Sequence, residues 1–212
     1  MKTIFWNVDT QYDFMRNDEE FRGALTVENA RTIEGNLERL TKYAEKNDVQ
    51  VVNTADWHTP ESKEFSENPD FMKTFPPHCL SGTKGAEYVP ATKPKDPYTI
   101  DWRSESFDES EVKSRRELVL YKDAFDIFSG SPHSDKVVDT INPDRVIVYG
   151  VATNVCVNYA VNGLLERGVE TYVVADAIKE LPNLPLDEVL KSWTSKGAKL
   201  VTTDYVLQGG LE

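Results

Sequence analysis

The chain has 212 residues, of which 39% are hydrophobic and 28% charged, and its formal net charge is −12. One hydrophobic core can serve a chain of this length, so we expect a soluble single domain over residues 1–212. The basic residues are scattered, which argues against nucleic acid or anionic membranes as partners, because both are recognised through basic patches. No apolar run approaches the roughly 20 residues that a membrane span needs.

The sequence contains two cysteines, Cys79 and Cys156. The apolar stretch at the start of the sequence is too short for a signal peptide. A protein of this size needs no disulfide to hold its core together. We therefore expect a cytosolic protein in which both cysteines are free thiols.

Six short apolar runs have the length and composition of β-strands, at residues 3–8, 49–54, 117–121, 145–149, 170–174 and 199–202. Between them, segments 27–46, 154–167 and 185–196 place apolar residues at steps of three and four, which predicts amphipathic helices. Strands that are apolar throughout and alternate with helices are typical of a parallel sheet covered on both faces. The sequence thus predicts a three-layer α/β/α fold with a doubly wound, mostly parallel, six-stranded sheet.

The stretch 56–116 interrupts this alternation. It contains seven of the eleven prolines and shows little periodicity. A connection of this length inside a compact domain is usually functional. We therefore expect it to carry metal-binding and substrate-binding residues.

Chemically reactive side chains follow four of the predicted strands. They are Asp9, the run Asp56-Trp57-His58, Lys122, and Cys156 after Gly150-Val151-Ala152-Thr153-Asn154. Ligands of open α/β sheets bind beyond the carboxyl ends of the strands. Convergence of these ends would bring a carboxylate, an amine and a thiol together, which is the set that a cysteine hydrolase uses.

Cys156 falls in the first turn of a predicted helix, with Thr153 or Asn154 as its N-cap. Unpaired N–H groups and the helix dipole would lower the pKa of a thiol there. A lysine at position 122 would stabilise the thiolate, and Asp9 could accept its proton. The alternatives are a structural cysteine, a capping carboxylate and a surface lysine.

A second group consists of Asp56, His58 and His78. One carboxylate and two imidazoles suit Zn²⁺, Mn²⁺ or Fe²⁺. Histidines satisfied by hydrogen bonds alone are the alternative. We expect His133 to be a solvated residue at a helix start, and Cys79 to pack inside the metal loop.

Five motifs occur in a fixed order along nearly the whole chain. They are Val8-Asp9-Thr10-Gln11-Tyr12-Asp13-Phe14, Asp56-Trp57-His58, Phe75-Pro76-Pro77-His78-Cys79 continuing to Gly82-Thr83-Lys84-Gly85-Ala86-Glu87, Lys122 with Asp126-Ile127-Phe128-Ser129, and Gly150-Val151-Ala152-Thr153-Asn154-Val155-Cys156-Val157. With these motifs the chain resembles the isochorismatase-like cysteine hydrolases, and among them the nicotinamidases.

The resemblance implies a role for each matching position. Asp9 would be the general acid and base, Lys122 its charged partner, and Cys156 the nucleophile. A cis peptide between Val151 and Ala152 would direct the N–H groups of Ala152 and Cys156 at the developing oxyanion.

It also implies a ligand set. Asp56, His58 and His78 would hold a divalent metal, with zinc favoured and manganese or iron as options. Phe14 and Phe75 would flank a flat ring.

The implied reaction is hydrolysis of a small-molecule amide through a thioester, with nicotinamide giving nicotinate and ammonia in NAD salvage. A homo-oligomer is implied as well. Three alternatives stay open: another amide or ureide hydrolase with the same triad, a metal–water hydrolase using Asp56, His58 and His78, and a catalytically idle binding protein.

The chain departs from the usual nicotinamidase pattern in three regions. The residues after His58 leave Glu64, Glu67 or Asp70 as a further metal ligand, and the sequence does not choose among them. The insert 88–116 offers Tyr98, Trp102 and Phe107 to line or cover a pocket, and Tyr159-Ala160 and Asn162-Gly163 replace the usual residues after Cys156.

Overall fold

The computed structural model describes residues 1–182 and 185–210. Within them the chain forms one seven-stranded sheet in the order β3-β4-β2-β1-β5-β6-β7, and every neighbouring pair is parallel. The strands are β1 (Thr3–Val8), β2 (Val51–Asp56), β3 (Tyr98–Ile100), β4 (Glu117–Lys122), β5 (Arg145–Val151), β6 (Glu170–Lys179) and β7 (Lys199–Val201). The predicted α/β class is confirmed.

The predicted strand count of six was wrong. The additional strand is β3, which lies within the insert 88–116 and pairs with β4 from Tyr98 to Ile100. It has three residues and lies close to Pro94 and Pro97, so neither its length nor its surroundings give a strand signal in the sequence.

The helices of the described residues are α1 (Tyr12–Met15), α2 (Glu34–Lys46), α3 (Glu109–Ser114), α4 (Ile127–Gly130), α5 (Ser134–Ile141), α6 (Cys156–Glu166), α7 (Leu186–Ser195) and α8 (Thr203–Leu207). Short 3₁₀ turns occur at Ala30–Ile33 and Lys84–Ala86. The segment predicted as one helix over 27–46 is therefore a 3₁₀ turn followed by α2. Among the described helices, none combines the length and apolar character needed to cross a bilayer.

Consecutive residues of β1 pack against different layers, because side chains alternate across a strand. The ring of Phe5 stacks near Tyr43 of α2, with 6.1 Å between centroids. The ring of Trp6 stacks near Phe128 of α4, with 6.5 Å between centroids. Helices thus cover both faces of the sheet, which explains why its central strands are apolar throughout.

The order in which strands are added to the sheet switches from one side of β1 to the other. Strand β2 lies on one side of β1 and β5 on the other, so Val8 pairs with both Thr54 and Gly150. A Cβ atom on Gly150 would lie 2.1 Å from the carbonyl oxygen of Val8, so only glycine permits this approach. The carboxyl ends of β1, β2 and β5 therefore open into one crevice, where α/β sheets bind their ligands.

Candidate active site and metal centre

Asp9 follows β1 directly and is fully buried. Its backbone adopts φ of 48°, which turns the chain away from the sheet. Oδ1 of Asp9 accepts a hydrogen bond from the hydroxyl of Thr54 at 2.6 Å. Oδ2 lies 2.9 Å from Nζ of Lys122. Residues of β2 and β4 thus contact the two carboxylate oxygens.

Lys122 ends β4, where it pairs in register with Asp56 at the end of β2. The lysine is 1% exposed, so it is not the surface lysine considered as an alternative. Its Nζ donates to Asp56 and to the carbonyl oxygen of Ala124, and lies 3.9 Å from Sγ of Cys156. One ammonium group therefore joins both carboxylates to the thiol.

The charges around Lys122 outweigh its burial. Burial acts to lower the pKa of Lys122, but the carboxylates of Asp56 and Asp9 raise it well above its usual value. Burial raises the pKa of Asp9, helped by Asp56 and opposed by Lys122. The lysine is therefore a fixed positive charge, and Asp9 has an increased affinity for a proton.

Cys156 is the first residue of α6 and is 7% exposed. The expected lowering of its pKa was wrong. Burial raises the pKa of the thiol well above its usual value, and Asp9 and Asp56 raise it further while Lys122 opposes them. The helix start alone suggested a thiolate, but two buried carboxylates lie within 4.8 Å of the sulfur.

The predicted N-cap was also wrong. Val155 occupies the N-cap position of α6, and it makes no side-chain cap. The side-chain amide of Asn154 binds the backbone of Leu181 instead: Nδ2 donates to the carbonyl oxygen and Oδ1 accepts from the N–H, at 3.0 Å each. The competing contact draws this side chain away from the helix.

The peptide bond between Val151 and Ala152 is cis, as the family resemblance implied. The carbonyl oxygen of Ala152 accepts hydrogen bonds from Val155 and Val157. No acceptor is found within residues 1–182 and 185–210 for the N–H groups of Ala152 and Cys156. These two groups are therefore available to bind an oxyanion.

Four buried side chains bring potential metal ligands together: Asp56, His58, Glu64 and His78. Nε2 of His58 lies 3.6 Å from Oδ2 of Asp56 and 3.2 Å from Oε1 of Glu64. Nε2 of His78 lies 3.4 Å from each of the same two oxygens. Ligands about 2.0–2.2 Å from a tetrahedral ion would lie about 3.3–3.6 Å apart, so these separations fit a metal ion.

The surroundings of the two histidines fit a metal as well. Nδ1 of His58 bonds Asp123 at 3.0 Å, and Nδ1 of His78 bonds the carbonyl oxygen of Pro76 at 2.8 Å. Such partners fix Nε2 of each ring toward the centre of the cluster. Among the described atoms, Nε2 of His58 and Oε1 of Glu64 are buried without a hydrogen-bond partner. Buried polar atoms of this kind call for a ligand.

The charge of the cluster also suits a cation. Burial acts to lower the pKa of His58, but Asp56 and Glu64 raise it to about 10. This reflects an excess of negative charge, which a divalent ion would neutralise. Of the three acidic residues that the sequence offered as a further ligand, Glu64 joins the cluster, whereas Glu67 and Asp70 are exposed.

A cleft lies beside the thiol and the metal cluster. Phe14 and Phe75 line it, and their ring centroids lie 5.3 Å and 6.1 Å from that of His78. Its remaining lining residues are Leu25, Val27, Asp56, Glu64, His78, Phe125, Ala152, Val155, Cys156 and Leu181. The walls are thus mostly apolar, with the reactive groups at one end.

The aromatic residues of the insert do not line this cleft. Nε1 of Trp102 donates to the carbonyl oxygen of Trp57, and Trp102 lines a neighbouring surface groove. The hydroxyl of Tyr98 accepts from the N–H of Asp108, and Phe107 contacts His133 edge to face. Each side chain holds the insert in place, which is a structural role that composition alone could not distinguish from pocket lining.

Two expectations about single residues had different outcomes. His133 does precede a helix, α5, but it is 7% exposed and bonds the carbonyl oxygen of Ser104, so the expectation of a solvated residue was wrong. Cys79 packs in the metal loop, fully buried, with its N–H donating to Asp13. Both cysteines are free thiols.

The isochorismatase domain model matches residues 3–205, nearly the whole chain. The chain belongs to the isochorismatase domain family. A nicotinamidase/pyrazinamidase of Mycobacterium tuberculosis is 30% identical over 181 residues, which are 80% of this chain and 82% of that protein.

Solved structures of isochorismatase-like proteins superpose on the chain. A pyrazinamidase of Pyrococcus horikoshii in complex with zinc superposes with a TM-score of 0.73 at 25% identity. The superposition covers 95% of this chain and 99% of the pyrazinamidase chain. An N-carbamoylsarcosine amidase from Thermoplasma acidophilum has a TM-score of 0.71 at 20% identity, over 96% and 98% of the two chains. The second likeness bears on the fold alone.

Several residues near the site of this isochorismatase-family chain were not predicted from its sequence. Asp123 orients His58, and its position directly after a strand-end lysine was an available signal. Phe125 and Leu181 line the cleft from loops, where no periodicity marks them. Thr54 lies inside an apolar strand, and only the register with Val8 places its hydroxyl beside Asp9.

Proposed function

We propose that this chain is a metal-dependent cysteine amidohydrolase that converts nicotinamide to nicotinate and ammonia. One observation carries the proposal: Lys122 joins Asp9 and Cys156 and also bonds Asp56, a member of the metal cluster. The reactive thiol and the metal cluster therefore open into the same cleft. The similarity to nicotinamidases supports the choice of substrate.

In the proposed mechanism, Asp9 accepts the thiol proton while Cys156 attacks the amide carbon. The oxyanion forms against the N–H groups of Ala152 and Cys156, and such a donor is typically worth about 3 kcal/mol. The C–N bond then breaks, ammonia leaves with a proton from Asp9, and a thioester remains on the sulfur. Asp9 next takes a proton from water, which attacks the thioester. The C–S bond breaks, the acid is released, and Asp9 returns the proton to the sulfur of Cys156.

The metal would be held by Asp56, His58, His78 and Glu64, and zinc is the ion that we propose. When bound, it would expand its coordination beyond these four residues to take a ring heteroatom and so orient the substrate. Phe14 and Phe75 would then contact the faces of the ring. The bound metal and the aromatic walls would thus position the amide, and Asp9, Lys122 and Cys156 would perform the chemistry.

The lining of the cleft favours an uncharged flat amide over a ureide that carries a carboxylate. Among the described lining residues there is no arginine or lysine to pair with such a group. Single-domain organisation, a cytosolic location and homo-oligomerisation remain predictions.

Steady-state ammonia release from nicotinamide, pyrazinamide and carbamoylated amino acids, with and without added zinc, tests the proposal. We expect turnover of the two ring amides, loss of activity on chelation, and loss of activity in Cys156→Ala with an unchanged circular dichroism spectrum. Retained activity in Cys156→Ala together with loss on chelation would favour chemistry by a metal-bound water. No turnover of any amide would favour an idle protein.

A further inference from the structure

The side chain of Asn154 connects the loop before the thiol to the segment after β6. Its Nδ2 donates to the carbonyl oxygen of Leu181, and its Oδ1 accepts from the N–H of Leu181, both at 3.0 Å. Like a peptide group, the side-chain carboxamide has a carbonyl oxygen that accepts and an N–H that donates a hydrogen bond. Asn154 therefore satisfies both backbone polar groups of Leu181, as a neighbouring strand would.

This contact continues the β5–β6 pairing past the ends of the strands. The last register pair is Val151 with Lys179, and the N–H of Thr153 then donates to the carbonyl oxygen of Lys179 at 2.8 Å. Beyond this point the chain enters α6 at Cys156, so its backbone leaves the sheet. The side chain of Asn154 then makes the hydrogen bonds with Leu181 that a further residue of β5 would otherwise make.

The residue held in this way belongs to the substrate cleft. Leu181 lines the cleft together with Val155 and Cys156. It is followed by Pro182, which has no N–H to contribute to a further backbone bond. The position of this wall beside the thiol therefore depends on the two hydrogen bonds between Leu181 and Asn154.

We propose that Asn154 is a positioning residue that fixes Leu181 as a wall of the cleft and so limits the width of the amide that reaches Cys156. The inference rests on the proposed function and deepens it. The loop that carries the nucleophile would also determine the size of the substrate. Narrow ring carboxamides are accepted, and amides with bulky ring substituents are excluded.

The first test measures access to the thiol and is independent of amide hydrolysis. Cys156 is alkylated with iodoacetamide and with the wider N-phenylmaleimide, and peptide mass spectrometry separates its modification from that of Cys79. We expect the ratio of the wide-reagent rate to the narrow-reagent rate to rise about tenfold in Asn154→Ala and in Leu181→Ala. Because the first residue acts through the second, the double variant should show no larger ratio than Leu181→Ala.

The second test measures steady-state kinetics in the same variants. In Asn154→Ala we expect KM for nicotinamide to rise about tenfold with kcat within a few-fold of wild type, and the relative kcat/KM for ring-substituted nicotinamides to increase. The matched control is Asn36→Ala at a residue that does not line the cleft. Like Asn154, Asn36 uses both polar atoms of its side chain: Nδ2 donates to the carbonyl oxygen of Asp176 and Oδ1 accepts from Arg39.

The outcomes separate the two proposals. An alkylation ratio in Asn154→Ala equal to that of Asn36→Ala, or additive effects of the two cleft substitutions, would overturn the role of Asn154 while amide turnover by wild type stands. Absence of amide turnover in wild type would overturn the proposed function, and the alkylation ratios would still decide whether Asn154 holds the wall. Circular dichroism confirms that each variant is folded.

Discussion

The hydroxyl of Thr54 donates to Oδ1 of Asp9 at 2.6 Å, and both residues are fully buried in the site. The bond exists because β1 and β2 are paired in register, with Val8 opposite Thr54. It leaves the other carboxylate oxygen directed at Lys122. Thr54 therefore determines which oxygen of Asp9 faces the reacting groups.

Replacing Thr54 by valine should reduce kcat for nicotinamide by about 10- to 100-fold, because a hydrogen bond to a charged group contributes about 1.5–3 kcal/mol. Valine keeps the branched shape of threonine and removes only the hydroxyl. KM should change little, since Thr54 does not line the cleft. Thr54→Ser restores the donor and should recover most of kcat. Equal kcat values for the valine and serine variants would show that the bond does not orient Asp9.

Removing the carboxylate of Glu64 should weaken metal binding. Oε1 of Glu64 lies 3.2 Å and 3.4 Å from the Nε2 atoms of His58 and His78. We expect Glu64→Gln to lower zinc affinity by at least about 10- to 100-fold, the loss typical even of residues that only support metal ligands. Competition with a chromophoric chelator measures it without any activity assay.

The matched control for the zinc measurement is Glu67→Gln, three residues along the same loop. Glu67 is exposed and lies outside the ligand cluster, so its zinc affinity should equal that of wild type. If the two variants bind zinc equally well, Glu64 is not a ligand.

The strand ends of the site were predictable because the core imposes them. A parallel sheet buried on both faces requires continuous apolar runs, so the polar residue that ends each run is conspicuous, as Asp9 and Lys122 are. The raised pKa of Cys156 could not be predicted, because it depends on the burial of the thiol and on the three-dimensional approach of Asp9 and Asp56. The use of Asn154 was equally hidden, since its partner lies 27 residues away.

Glu170 should make stability depend on pH. Hydrogen bonds from Lys199 and Arg145 lower the pKa of Glu170 to about 2. A carboxylate whose pKa is lower in the folded state stabilises the fold above its unfolded pKa, near 4.5, and this stabilisation is lost as pH falls toward 2. Glu170→Gln should therefore lose stability relative to wild type at pH 6, and the difference should shrink as pH falls below about 4.5.

Urea unfolding at pH 6, 4.5 and 3 measures this difference. Glu28→Gln at an exposed position serves as the control, because it removes the same charge as Glu170→Gln. A difference between Glu170→Gln and wild type that stays constant over the three pH values would contradict the assignment.

Gly163 and Gly35 both lie in helices but should respond oppositely to alanine. A Cβ on Gly163 of α6 would lie 2.2 Å from two ring carbons of Phe128, whose ring stacks near Trp6 and carries the guanidinium of Arg167 at 3.6 Å. The ring is held between partners, so it cannot move away freely. Gly163→Ala should therefore lower the free energy of unfolding by about 1–3 kcal/mol, the usual effect of overpacking.

Gly35 of α2 supplies the matched substitution, because no atom lies within 4 Å of its added Cβ. Gly35→Ala should raise the free energy of unfolding by about 0.5–1 kcal/mol, since alanine loses less backbone entropy than glycine in a helix. Urea unfolding of both variants measures the contrast. If Gly163→Ala were as stable as Gly35→Ala, the ring of Phe128 would have to shift without loss of packing, and α4 would then be more loosely held against α6 than the contacts of Phe128 indicate.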